Sequence, residues 1–540
     1  MENKLLFKRF GTMLDCSRNA VMSVNSLKKW IDITADLGYN TLLLYTEDTY
    51  EVDDNPYFGY MRGRYTQAEL KEVDAYAASK GMELIPCIQT LAHLNAIVRW
   101  PAYESHVDTN DILLAGDEAV YDLIDKMFSS ISKCYSSRTI NIGMDEAHMV
   151  GRGKYYDLHG DTDRSQILIS HFKRVAEIGE KYDFTIAMWS DMFFRLASGG
   201  EYYDSSAKIN EEIKKQIPEN VQLIYWDYYS KDKKRYDRML AAHEKLKEDT
   251  WFAGGLWGWT GPAPHNGLSI QNTTPAIKSC LEHGVQNVFF TMWGDDGGEC
   301  SKFALLPSLF YVSELAKGNT KKADIKAKFK EKYGIDFDRF MLLDLQGTPG
   351  GVADEVINPD KYLLYNDCFM GLMDSTISGG ENEQYAKCAR RLGLLKKDEN
   401  WGYLFETQQA LCEVLAIKAE LGVKTHQIYA SKDKEALKAL IGDYKKLQKK
   451  LENFYQAFHK QWYRENKPHG FDVQDIRIGG LMRRISNCIN RLQELYDGTI
   501  DVIEELEETQ LDFNGNGQEF DHKHGCLHIW GQIVSANVLG

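Results

Sequence analysis

Eight short apolar runs, each followed by a stretch whose apolar residues recur at helical spacing, constrain the fold of this chain more tightly than any other feature. The runs cover residues 9–14, 41–45, 83–88, 139–143, 185–189, 222–226, 252–257 and 287–292. Runs this short, with little polar alternation, suit strands buried on both faces, as in a parallel sheet covered by helices. Eight such units within roughly 310 residues predict an α/β protein built on a (β/α)8 TIM barrel. A doubly wound sheet is the competing arrangement. It needs fewer units and a phosphate-binding glycine turn after its first strand, where this chain has Asp15-Cys16-Ser17-Arg18.

Beyond about Gly318 the strand-like runs stop. Leu437, Leu440, Ile441, Tyr444, Leu447, Leu451, Phe454, Tyr455 and Phe458 recur at helical spacing with lysines on the opposite face. Long helices are expected over residues 403–421, 435–463 and 476–508. Gly442, Gly479, Gly480 and the segment around Pro468 argue for a bundle rather than one continuous coiled coil. The chain of 540 residues is too long for a single core, so the expected layout is a barrel domain at 1–320 and an α-helical C-terminal domain at 321–540. In the barrel, Thr66 with Glu69 forms a capping box for a helix through Ala78, and Asp163 caps a helix ending near Lys181.

The net charge of −15 argues against nucleic acid or an anionic membrane as a partner. The first residues lack the basic start and apolar run of a secretory leader, and no run of about 18 apolar residues occurs, so a cytoplasmic location is expected. Ten cysteines without paired spacing suit reduced, buried thiols. His522, His524, Cys526 and His528 alternate and would share one face of an extended strand. An ordinary strand face is preferred there over a metal site, and no metal or other cofactor is expected.

Chemistry is expected at the carboxyl ends of the strands. Asp-Glu occurs four times, at 117–118, 145–146, 354–355 and 398–399. Only Asp145-Glu146 follows a buried strand that ends in glycine. The other strand ends present Arg18, Glu47-Asp48, His93, Trp189, Trp226-Asp227-Tyr228, Trp257-Gly258-Trp259 and Trp293-Gly294-Asp295-Asp296. Five of the eleven tryptophans thus sit at four successive strand ends, which weakens the usual view of a buried indole as core. Flat apolar walls with a few acids and an arginine among them suit a sugar ring. A metal site in the same acids is disfavoured, because no His-x-Asp pair or two-histidine-plus-acid spacing accompanies them.

With Arg18 after the first strand, His93 after the third, Gly-x-Asp-Glu at the fourth and Trp-x-acid at the eighth, residues 8–315 resemble family 20 glycoside hydrolases, the β-N-acetylhexosaminidases. The bacterial branch with a helical C-terminal domain is the most similar. The resemblance implies exo-hydrolysis of terminal, non-reducing, β-linked GlcNAc or GalNAc from an amino-sugar oligosaccharide or glycoconjugate. It implies substrate-assisted retaining catalysis through an oxazoline-type intermediate, outside the usual two-carboxylate schemes.

In that scheme Glu146 is the general acid and then base, which calls for an apolar wall beside it, and Asp145 binds the acetamido N–H. His93, with Glu47 or Asp48 behind it, contacts the acid. Arg18 and Asp295 bind sugar hydroxyls, and Trp189, Trp226 and Trp293 box the acetamido methyl, with Trp257 on the same rim. Tyr228, with Tyr225 as rival, holds the acetamido carbonyl. The chain departs from the family's His-x-Gly-Gly-Asp-Glu in reading Asn141-Ile142-Gly143-Met144-Asp145-Glu146. A barrel that binds sugar without cleaving it is the second reading, and the intact acid pair counts against it. A homodimer through the helical domain is compatible with the sequence, which leaves the choice between GlcNAc and GalNAc open.

Overall fold

The computed structural model describes residues 5–295, 297–348, 356–513, 515 and 530–538. The chain folds into two compact units that interleave in sequence. One comprises Met1–Leu256, Ser269–Trp293 and Leu309–Lys321; the other comprises Trp257–Leu268, Gly294–Ser308 and Lys322–Gly540.

The first unit is a closed, all-parallel barrel of eight strands: β1 (Arg9–Asp15), β2 (Thr41–Tyr45), β3 (Glu83–Cys87), β4 (Thr139–Asn141), β5 (Thr185–Trp189), β6 (Gln222–Trp226), β7 (Trp251–Gly255) and β8 (Asn287–Met292). Each strand pairs with its neighbours in sequence, and β8 pairs with β1 to close the ring. All five residues of β2 and all six of β8 are buried, as expected of strands covered on both faces. Close pairing needs Gly11, because a Cβ there would lie 2.8 Å from the Thr41 carbonyl oxygen.

The helices begin where their capping residues indicate. The Thr66–Glu69 capping box opens Gln67–Ser79, and the Asp163 carboxylate accepts from the Ser165 amide at the start of Arg164–Lys181. Asp117 caps Glu118–Ser132, which gives that Asp-Glu pair a structural task. Asp398 accepts from the amides of Asn400 and Trp401 in a turn, and residues 354–355 lie outside the described residues.

After β3 the long connection folds into an antiparallel pair, Val107–Thr109 with Ile112–Leu113. From it the Asp108 carboxylate accepts from the amides of Gly151 (2.6 Å), Gly153 (3.1 Å) and Tyr155 (2.9 Å). This ties down the loop that follows the acid pair.

The second unit is helical, with Glu381–Gly393, Gly402–Lys418, Leu421–Ser431, Lys434–Glu465 and Phe471–Asp497 as its longest helices after residue 340. Leu440, Ile441, Tyr444, Leu447, Leu451, Phe454 and Phe458 are buried along one face, whereas Tyr455 is not. The last long helix starts at Phe471 and ends at Asp497, short of the expected residue 508. Gly498, at φ 74°, turns the chain there and donates to the Leu495 carbonyl.

The two segments of barrel sequence in this unit, 257–268 and 294–308, make specific polar contacts within it. The Ala263 amide donates to Asp360 (3.1 Å), Gln408 to the Pro262 carbonyl (2.7 Å), Asn358 to the Thr260 carbonyl (2.9 Å) and Ser301 to Glu465 (2.7 Å). Glu299 is buried between Lys361 and Arg477.

The nine cysteines among the described residues are buried and free of disulfides. The alternating His522, His524, Cys526 and His528 lie outside the described residues. Among the described residues no helix is long and apolar enough to cross a membrane.

Candidate active site

The acid pair follows β4 on strained backbone. Gly143, Met144 and Glu146 all have positive φ, at 74°, 69° and 52°. For the two that are not glycine this costs on the order of 1 kcal/mol or more each, so the surroundings must enforce it. Gln89, just beyond β3, supplies much of that force. Its Oε1 accepts from the Met144 amide (3.1 Å), and its Nε2 donates to Asp145 Oδ1 (2.7 Å) and to the Tyr45 hydroxyl (3.0 Å). Gly143 must be glycine, because a Cβ would collide with Gln89 Oε1 and lie 2.8 Å from the Ile88 carbonyl oxygen.

From Tyr45 the network continues outward. Its hydroxyl donates to Glu47 Oε1 (3.0 Å), and the Arg18 guanidinium lies 3.2 Å from Glu47 and 3.0 Å from Asp15. Burial raises the Glu47 carboxyl above its ordinary range, although Arg18 opposes this. Asp48 is engaged elsewhere, paired with Arg62 at 3.2 Å. Of the two acids after β2, Glu47 is the one joined to the Arg18 cluster.

His93, itself at φ 58°, places Nε2 3.4 Å from Asp145 Oδ2 and 3.7 Å from Glu146 Oε2. Burial disfavours its charge, but the Asp145 carboxylate outweighs this and raises the imidazole to about 9. Burial likewise pushes Asp145 up, and His93 together with Gln89 brings it below its ordinary value. Asp145 is therefore an ionised acceptor at neutral pH.

Glu146 is placed differently. Its amide donates to Asp191 Oδ2 (3.1 Å), and its Oε1 lies 3.7 Å from Arg195. Its side chain is 39% exposed, with His93 and Arg195 as neighbouring cations.

Aromatic rings line the neighbouring strand ends. Trp226 stacks on Tyr228 at 5.2 Å, Trp293 meets Tyr45 edge-on at 4.7 Å, and Trp189 lies 6.1 Å from Trp293. The Tyr228 hydroxyl accepts a hydrogen bond from the Trp293 indole N–H and is also hydrogen-bonded to Thr291. Arg18 lies 5.1 Å from both the Tyr45 and Trp293 rings, within cation–π range. Tyr225 packs on His243 and donates to Asp227, away from this wall, as strand alternation requires.

Trp257 and Asp295 belong to the second unit, where Trp257 is buried against Trp259 at 4.1 Å and Asp295 is exposed. Gln89, Tyr45, Asp191 and Arg195 escape sequence reasoning. Only the last two leave a local trace, as an i,i+4 acid–base pair that starts two residues after Trp189.

A parallel barrel with paired acids and a wall of indoles at its strand ends defines a class, the barrel glycoside hydrolases. Residues 7–244 match the catalytic domain of glycosyl hydrolase family 20, and residues 338–525 match the Glycoside Hydrolase 20C C-terminal domain. The chain belongs to glycoside hydrolase family 20.

It is 24% identical over 275 residues to hexosaminidase D of Bos taurus, covering 46% of this chain and 69% of that protein. It is 23% identical over 286 residues to hexosaminidase D of Homo sapiens, covering 50% of this chain and 54% of that protein, so the chain spans only about half of the human relative. Among solved structures, an exo-β-N-acetylglucosaminidase from Vibrio harveyi in complex with N-acetylglucosamine is similar at 15% identity and a TM-score of 0.48. That match covers 63% of this chain and 59% of the other.

Proposed function

We propose that this enzyme is an exo-β-N-acetylhexosaminidase that releases terminal, non-reducing, β-linked GlcNAc or GalNAc, and that the sugar supplies its own nucleophile. The observation that carries this is the placement of Asp145 beside Glu146 on one strand end, with Asp145 held ionised by His93 and Gln89. Ordinary glycosidases set two carboxyls on opposite sides of the scissile bond, about 5–9.5 Å apart. Adjacent residues of one loop do not provide that arrangement.

The acetamido carbonyl oxygen attacks the anomeric carbon while Glu146 protonates the departing oxygen. Asp145 accepts a hydrogen bond from the acetamido N–H and steadies the positive charge of the oxazoline-type ring. Tyr228 orients the acetamido carbonyl, and Trp189, Trp226 and Trp293 enclose the methyl group. Glu146 then takes a proton from water, which opens the ring at the anomeric carbon with overall retention. Arg18, joined to Glu47, binds sugar hydroxyls. In this scheme residues 1–320 are the catalytic domain and 321–540 the accessory one.

Release of nitrophenol from the 4-nitrophenyl N-acetyl-β-glycosides of both epimers tests the proposal, with and without a thiazoline mimic of the cyclised intermediate. Turnover blocked by the mimic is the expected result. Turnover that the mimic leaves untouched would keep a glycosidase and remove this mechanism, and absence of turnover on both epimers would favour a barrel that only binds sugar.

A further inference from the structure

We propose that Asp191 and Arg195, on the helix after β5, are positioning residues that hold Glu146 in its working geometry. The inference rests on the reading of Glu146 as the general acid. The helix Asp191–Ser198 begins two residues after the end of β5, so its first residue looks along the rim toward the end of β4. Asp191 is fully buried. One of its oxygens accepts from the Glu146 amide (3.1 Å) and from Arg195 Nε (3.3 Å), while Oδ1 has no partner among the described residues. Burying a carboxylate that is incompletely paired is costly, so its use here needs a reason. The reason is on its other side. Glu146 is in the left-handed region, and the Asp191 carboxylate gives its amide an acceptor in that conformation.

Arg195 completes the arrangement one helical turn later. Its Nη2 lies 3.7 Å from Glu146 Oε1, while His93 faces Oε2 at the same distance, so the carboxyl sits between two cations. A lone arginine there would favour only the ionised carboxyl. With its charge shared with Asp191, Arg195 can orient the group both as proton donor and as base. Asp191 faces Asp145 and Glu146 from the end of β4, Arg195 from its own helix and Tyr202 beyond it. Burial, with the negative charges of Asp145 and Glu146, raises it to about 7 against the pull of the Glu146 amide and Arg195.

The test exploits leaving groups. For kcat/KM, which reports the departure step, 4-nitrophenolate needs little protonation, whereas the sugar alcohol leaving N,N′-diacetylchitobiose needs an acid. Asp191→Asn and Arg195→Met are each expected to lower kcat/KM on the disaccharide by about 10- to 100-fold, a fraction of what a general acid contributes. The loss on the nitrophenyl glycoside should be about tenfold smaller, and Asp191→Asn should flatten the pH dependence between pH 6 and 8. Arg195→Lys should recover part of the loss.

Arg195 is partly exposed, so its variants keep the test valid should Asp191→Asn fail to fold. Equal losses on both substrates would reduce the pair to a structural role and overturn the proposal. Glu146→Gln is the reference. If it too lacks leaving-group dependence, the acid assignment fails and takes this inference with it; if it shows the dependence and the other variants do not, only the positioning role falls.

Discussion

At the scale of single residues, the site is a set of compensated strains. Gly143→Ala is expected to destabilise the protein by about 1–3 kcal/mol from the positive φ alone, with a further loss as Gln89 is displaced. Activity should fall with it, because Gln89 also holds Asp145. A melting curve beside an activity assay checks this, and an alanine variant with both values unchanged would refute the clamp. His93 sets a pH dependence. Its folded value, about 9, lies above the ordinary 6.5, so its contribution to stability is fully present below about pH 6.5 and lost as pH rises through 9. The melting-temperature gap between wild type and His93→Asn should therefore shrink across that window. A gap that stays constant or widens with pH would show that the imidazolium–Asp145 pair is not its source. The acid pair is legible in the sequence because glycine, strand and acids are contiguous. Gln89 is not, since its role exists only once β3 lies beside β4.

At the scale of elements, the barrel strands are the most legible part, because strands covered on both faces leave uninterrupted apolar runs. Boundaries shift where backbone conformation rather than hydrophobicity decides them. β4 stops at Asn141 ahead of the left-handed turn, and the last long helix stops at Gly498. The glycines weighed against a continuous coiled coil act otherwise. Gly442, Gly479 and Gly480 lie inside the helices Lys434–Glu465 and Phe471–Asp497, and the chain breaks only between them, around Pro468. A Cβ at any of the three would meet nothing within 4 Å. Alanine at each should therefore stabilise its helix by about 0.5–1 kcal/mol. Denaturant midpoints of Gly442→Ala and Gly479→Ala check this, and a fall in either would mean that the glycine has a partner the helix surface does not reveal.

At the scale of the whole molecule, periodicity along the chain does not reveal which segments share a core. The connections after β7 and β8 read as barrel loops in sequence, yet 257–268 and 294–308 pack within the helical unit. There Asp360, Asn358 and Gln408 bond to the backbone of the first segment, and Glu465, Lys361 and Arg477 bond to side chains of the second. A fragment ending at residue 321 would keep both segments and lose every one of these partners. Glu299 would be a carboxylate without its two cations, and the Thr260 and Pro262 carbonyls would lose their donors, at about 1–3 kcal/mol for each group that stays buried. Such losses rival the whole stability of an ordinary domain, about 5–15 kcal/mol. The 1–321 fragment should therefore aggregate or lack a cooperative melt, and show no turnover even though it contains Asp145, Glu146 and the indole wall. A soluble fragment with a sharp thermal transition would show instead that the barrel folds without its helical companion, and that the two segments are free to repack.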